Sequence, residues 1–403
     1  MSSSFKIQTS VRIPELDGLR GLAILLVLFD HYLYSSLQPE TGKIYAFVHA
    51  VFPLTWSGVD LFFVLSGFLI GGILMDQRHT EHYFKTFYIR RVCRIFPIYF
   101  LWLALFVISS GLFLRHLHQQ WALSLFNRQG IPDWSYFVFL QNFHTAKTLL
   151  FGPAWLAVTW SLAVEEQFYL FMPLLVWLVP VRKLPYVLAT LIILVPIFRL
   201  GLYLYYPQYF VYVLLPGRAD SLLIGALCAC WIRQESFQSR LEKHRKGLFL
   251  AFTVLLAGMV CLTIKAETPN FWSMARSFDM VSWGYSWIAL FYACLLLIVV
   301  TVKKGVIAGF MRFTPLRYLG IISYCVYLIH MAVIVLVYGW MLGRPAAITN
   351  FMSGAATLIA LGATLLLAAL SWHFFEKPII KWGHSFAYRG DKIHPVARGT
   401  SSL

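Results

Sequence analysis

The sequence predicts an all-α membrane protein, a polytopic bundle of about ten transmembrane helices with both termini cytoplasmic. Three observations carry that prediction. Of 403 residues, 59% are hydrophobic and 12% are charged. An ordinary soluble domain has about 25% charged residues, so this chain has too little charge to cover a globular surface of its size. Aromatic residues reach 17%, the enrichment expected where Trp and Tyr line two membrane interfaces. Apolar runs long enough to cross about 30 Å of hydrocarbon complete the case. They recur near 19–36, 56–75, 95–114, 158–180, 184–204, 218–234, 247–265, 283–302, 318–342 and 351–375.

The first run ends in "HYLYSSLQPE" with no small-residue cleavage site, so it reads as a retained helix and not a signal peptide. The connections between runs set the orientation. With the N-terminus inside, 23 of the 33 Lys and Arg residues fall in inner segments and eight in outer ones, while Arg20 and Arg199 lie within helices. That asymmetry places both termini in the cytoplasm. The net charge of +16 is spread over short clusters with no long basic tail. It therefore argues against nucleic acid and points to an anionic lipid surface or an anionic ligand. The six cysteines lie in or beside apolar runs and indicate neither a disulfide framework nor a metal site. One connection is long, the expected outer loop 115–157, with His116, His118, Asp133, Trp134, Gln141, Asn142, His144 and Trp155. Loops of this length are usually functional or disordered, and the aromatic content favours an ordered one. With no internal repeat or low-complexity segment, residues 1–403 read as a single membrane domain without an appended soluble one.

Within this apolar frame the ionisable residues stand out, because a charge in lipid is costly unless it is paired or used. In "LDGLRGLAILLVLFDHY", Arg20 and His31 are eleven residues apart. At 100° per residue they share one helix face, about 16 Å apart along the axis. Taken alone, Arg20 reads as an interfacial snorkelling arginine and His31 as a histidine satisfied by a neighbouring helix. Asp30 is expected to point elsewhere and to be the more ordinary of the polar residues. In "YIRRVCRIFPIYF", Arg90, Arg91 and Arg94 stand at the inner entrance of the third helix. There they are either topology anchors or a site for a phosphate-bearing ligand. In "TWSLAVEEQFYL", Glu165 and Glu166 are adjacent and point about 100° apart, which excludes a glycosidase-type carboxylate pair. Asp60, Ser161, Arg218, Asp220 and His330 are candidate supporting residues, for most of which pairing within the bundle is the plainer reading. With His31 they set acidic groups and two histidines in the outer half of a bundle with an arginine-rich inner mouth.

These stretches resemble the acyltransferase 3 family of bacterial integral-membrane acyltransferases. "IPELDGLRGLAILLVLFDHY", with its Arg-x10-His motif, is similar to the family's opening, and "GVDLFFVLSGFLI", "RRVCRIFPIY", "WSLAVEEQFYL", "RADSLLIGAL", "LGIISYCVYLIH" and "FFEKPIIKW" follow in the family's order. The resemblance covers essentially the whole chain. It implies an inner-membrane enzyme passing an acyl group, most often acetyl, from cytoplasmic acyl-CoA to a hydroxyl on the far side. Carried over by residue, His31 would be the essential histidine and Arg20 its motif partner. Arg90, Arg91 and Arg94 would contact the CoA phosphates, and Glu166, with Glu165, would belong to the active-site region. Imidazole can act near neutral pH as a general base or as an acyl carrier, and the sequence does not choose between them.

No permanently bound cofactor and no metal are expected. The expected partners are acyl-CoA, membrane lipid, and a glycan, lipid-linked sugar or small hydroxylated acceptor, with homo-oligomer formation left open. A rival reading is a transporter of an acylated or lipid-linked intermediate with His31, His330 and Asp60 as a proton path. It ranks lower because no paired broken helices recur in two halves.

Overall fold

In hydrocarbon a backbone can satisfy its N–H and C=O groups within one segment only as a helix, and each apolar run folds accordingly. The computed structural model describes residues 13–113, 119–206, 210–265 and 274–388. Ten long helices dominate: α1 (Pro14–Phe29), α2 (Gly58–Gln77), α3 (Tyr83–Phe113), α4 (Thr159–Leu178), α5 (Leu184–Tyr205), α6 (Leu215–Ile232), α7 (Arg245–Lys265), α8 (Tyr285–Thr301), α9 (Thr314–Leu342) and α10 (Phe351–Ser371). No β-strand occurs among the described residues, where an isolated bridge joins Leu37 to Ile348.

Among the described residues nine helices, α2 to α10, are long and apolar enough to cross a membrane by length and composition. The expectation of ten differs through α1 alone, which carries Glu15, Asp17 and Arg20 and runs on through Asp30 into a π turn, Asp30–Tyr34. A second difference concerns α3, which starts at Tyr83, twelve residues before the expected 95. Its first turns are amphipathic and escape an apolar-run count, so Arg90, Arg91 and Arg94 sit inside the helix and not at its entrance. The long connection is ordered where described, as three short helices, Gln120–Phe126, Asp133–Phe137 and Gln141–Thr148. His116 and His118 lie outside the described residues.

Two helix pairs form the axis of the bundle, α2 with α6 and α1 with α9. Lipid tails compete with apolar side chains, so close backbone approach through small residues holds such pairs together. Gly67 of α2 meets the Leu222 carbonyl, and Gly225 of α6 meets the Val64 carbonyl, so that a Cβ at either position would collide with the opposite backbone. Together the four helices pack α1 between α2 and α9, and the site forms along it. Replacing Gly67 or Gly225 with Leu should cost about 3 kcal/mol or more and lower the thermal unfolding midpoint of the detergent-solubilised protein sharply. A Gly362→Ala control, where an added Cβ meets open space, should leave or raise the midpoint.

Candidate active site

The polar groups fall into two arrangements, one that cancels charge and one that leaves it facing a void. The first joins α2, α5, α6 and α8. Arg199 of α5 donates to Asp220 (2.7 Å), Ser286 (2.7 Å) and the carbonyls of Val281 (2.9 Å) and Gly217 (3.0 Å). Arg218 pairs with Asp60 and lies between the rings of Tyr285 and Tyr212, 4.5 and 4.8 Å from their centroids. All four charged side chains are fully buried. Asp60, Arg218 and Asp220 are thus tied to bundle partners, and neither cavity described below is lined by them.

The second arrangement lines two cavities. The smaller, about 100 Å³, is bounded by Arg20 of α1, Arg91 and Arg94 of α3, and Ser161, Glu165 and Tyr169 of α4. Glu165 accepts hydrogen bonds from Ser66 (2.7 Å) and Tyr169 (3.1 Å). Its neighbour Glu166 points away, as adjacent residues on a helix must. Glu166 leaves Oε1 without a hydrogen-bond partner among the described residues. Arg90 also stands apart: its guanidinium donates twice to the Phe386 carbonyl (3.1 and 2.9 Å) and stacks on the Tyr388 ring at 4.9 Å. Arg20 therefore replaces Arg90 in the trio that the sequence grouped as Arg90, Arg91 and Arg94. His384, beyond the last span, feels this charge: burial and the adjacent Arg90, Arg91 and Arg94 hold its imidazole below the usual range.

The larger cavity is about 870 Å³ and contains His31 at the far end of α1. His31 Nδ1 lies 2.9 Å from Nε2 of the fully buried His330, whose own Nδ1 meets the carbonyls of Tyr327 (2.7 Å) and Val326 (3.2 Å). Asp30 does not point elsewhere. The π turn carries it into the same cavity, with Oδ2 3.8 Å from His31 Nε2 and Oδ1 accepting a hydrogen bond from Thr55 (3.0 Å). Aromatic residues make much of the remaining wall, among them Trp56, Trp160, Tyr212 and Tyr34. His49, on a short helix outside the spans, lies between Tyr34 and Tyr45 with ring centroids 4.2 and 4.0 Å away. Burial holds its imidazole below the usual range.

The two cavities share Val59 and Tyr327, which form the wall between them. The Tyr327 hydroxyl lies 2.6 Å from Ser161 Oγ and 3.2 Å from the Val158 carbonyl. Of the residues singled out from sequence, His31 and His330 meet at one cavity and Arg20, Arg91, Arg94, Ser161 and Glu165 at the other. Tyr327, Ser66 and Thr55 were not singled out. Tyr327 could have been found, since it stands three residues before His330 and so on the same helix face.

A multi-helix membrane bundle with a guanidinium-lined void and an imidazole-bearing one on either side of a shared wall defines a class of membrane enzyme or carrier. The comparisons narrow it: residues 13–373 match the acyltransferase domain of the acyltransferase 3 family, and the chain belongs to that family. The chain is 31% identical over 410 residues to a putative peptidoglycan O-acetyltransferase of Bacillus subtilis, YrhL, covering 97% of this chain and 58% of that protein. It is 29% identical over 403 residues to the peptidoglycan O-acetyltransferase OatA of Listeria monocytogenes, covering 94% and 58%. With the O-acetyltransferase OatA of Staphylococcus aureus it shares 26% over 405 residues, covering 96% and 60%. The chain thus spans about three fifths of the length of the curated relatives it matches. No solved structure matches it.

Removing one partner of the Asp60–Arg218 pair leaves a buried charge uncompensated, so Asp60→Ala should cost about 3–5 kcal/mol. The double replacement Asp60→Leu with Arg218→Met should cost less than either single change, as read by thermal unfolding in detergent.

Proposed function

We propose that this chain is a multi-pass membrane O-acyltransferase of the bacterial inner membrane. It moves an acyl group, most simply acetyl, from acyl-CoA bound at the arginine end to a hydroxyl acceptor in the His31 cavity. The observation that carries this reading is the shared wall at Val59 and Tyr327, which sets a polycationic void and an imidazole-bearing one in a single file along α1. Arg91 and Arg94 have no carboxylate within ion-pair distance among the described residues, so their charge is available to an anion. Guanidinium groups chelate phosphate oxygens in pairs, which suits the phosphates of CoA. The orientation read from the basic connections places this end, and both termini, on the cytoplasmic side, where acyl-CoA is made.

At the other end His31 takes the proton of the acceptor hydroxyl while its oxygen attacks the thioester carbonyl carbon. The carbon–sulfur bond then breaks, and the thiolate leaves with that proton, giving an ester and free CoA. The Asp30 carboxylate, 3.8 Å from Nε2 and held by Thr55, offsets the charge of the transient imidazolium. Two relatives bear names that give peptidoglycan as acceptor, which supports a glycan here. In the rival transporter reading Asp60 belongs to a proton path, but its pairing with Arg218 keeps it off the cavities.

His31→Ala should abolish acyl transfer from labelled acetyl-CoA while leaving the thermal unfolding midpoint of the purified protein near that of wild type. Wild-type turnover by that variant would contradict the proposal. Arg91→Gln and Arg94→Gln should each raise the KM for acyl-CoA about tenfold or more, since hydrogen bonds to charged groups contribute roughly 1.5–3 kcal/mol. Arg90→Gln, whose guanidinium is spent on Phe386, should leave that KM unchanged.

A further inference from the structure

We propose that His330 is a positioning residue that fixes His31 in the tautomer protonated at Nδ1, leaving the unprotonated Nε2 toward the cavity. The inference rests on the acyl-transfer reading above and adds which nitrogen of His31 does the work and what holds it so. A neutral imidazole carries one N–H and one lone pair, so each ring's partners decide its tautomer. His330 Nδ1 faces only acceptors, the carbonyls of Tyr327 at 2.7 Å and Val326 at 3.2 Å, and so must carry a hydrogen. Its other nitrogen then either bears a lone pair or makes the ring a cation. The ring is fully buried, and no carboxylate lies within ion-pair distance of it among the described residues. An unpaired buried charge is costly, so His330 is neutral and Nε2 is an acceptor.

The consequence passes across 2.9 Å to His31. Facing a lone pair, His31 Nδ1 must donate, which places its hydrogen there and leaves Nε2 of the neutral ring bare; the Asp30 carboxylate that faces Nε2 is 3.8 Å away, beyond hydrogen-bond reach, and is held by Thr55 instead. The ring centroids lie 5.0 Å apart with an interplanar angle of 28°, close to the edge-to-edge arrangement that an N–H···N hydrogen bond needs. His330 is itself clamped, because Tyr32 donates from its hydroxyl to the His330 carbonyl at 2.9 Å. The same carbonyl of Tyr327 that holds His330 belongs to the residue whose ring walls off the arginine cavity. The chain of contacts runs from that wall through His330 to the reactive nitrogen.

The test uses the full chain in proteoliposomes, with labelled acetyl-CoA as donor and a soluble N-acetylglucosamine oligosaccharide as acceptor. His330→Phe keeps the ring and removes both hydrogen bonds; it should lower kcat at least about 100-fold, within the range seen when a catalytic histidine loses its tautomer partner. The KM for acetyl-CoA should stay within about twofold, because His330 does not line the arginine cavity. His330→Gln, whose amide oxygen can accept from His31 Nδ1, should recover a large part of the loss. Nitrogen-15 spectra of histidine-labelled protein, with His31 identified by difference against His31→Asn, supply a readout independent of activity. They should show an unprotonated Nε2 in wild type and a mixture of tautomers in His330→Phe. Wild-type kcat in His330→Phe would overturn the proposal, as would an unprotonated Nδ1 on wild-type His31. Full transfer by His31→Ala would instead overturn the acyl-transfer role of His31, with the wild-type spectrum still deciding the tautomer.

Discussion

Hydrocarbon does not solvate charge, and the layout of this bundle follows from how each ionisable side chain meets that constraint. Arg199 and Asp220, with Arg218 and Asp60, meet it by cancellation, all four fully buried among α2, α5, α6 and α8. Arg91 and Arg94 face a void instead, beside Arg20, which has Asp17 at 4.0 Å, while Asp30 and His31 share the second cavity. The first group ties helices together at a cost that loss of either partner would expose. The second is where a ligand could supply the missing countercharge. Glycine contacts between α2 and α6 serve the same end, since they bring the helices close enough for the cancelled pairs to meet.

That division gives the two cavities along α1 different chemistry. One void offers guanidinium groups beside the hydroxyl-bound carboxylate of Glu165; the other offers a histidine pair and a carboxylate among aromatic rings. Tyr327 joins the two, with its ring in the wall, its hydroxyl on Ser161 and its carbonyl on His330.

Much of the bundle was legible because hydropathy is a local property: all ten apolar runs are helical, with ends shifted by a few residues. The larger misplacement, the start of α3, arose where Lys85, Arg90, Arg91 and Arg94 interrupt the apolar run within the helix. The site was legible in part. Helical phase put Arg20 and His31 on one face, and each lines one of the two cavities. Phase failed for Asp30 because a π turn interrupts the 100° rule there, and no residue in the stretch announces that turn. Spacing also grouped Arg90 with Arg91 and Arg94, whereas Arg90 is drawn off by the Phe386 carbonyl nearly three hundred residues away. Contacts of that range, like His31 with His330, depend on which helices neighbour each other, and local pattern carries no information on that.

In the proposed reaction donor and acceptor meet from opposite sides of the membrane. Proteoliposomes holding an N-acetylglucosamine oligosaccharide inside, with labelled acetyl-CoA added only outside, measure this directly in the fraction of protein whose arginine end faces outward. Label should appear on the enclosed oligosaccharide without entry of acetyl-CoA into the lumen. Labelling only when donor and acceptor share a compartment would contradict it.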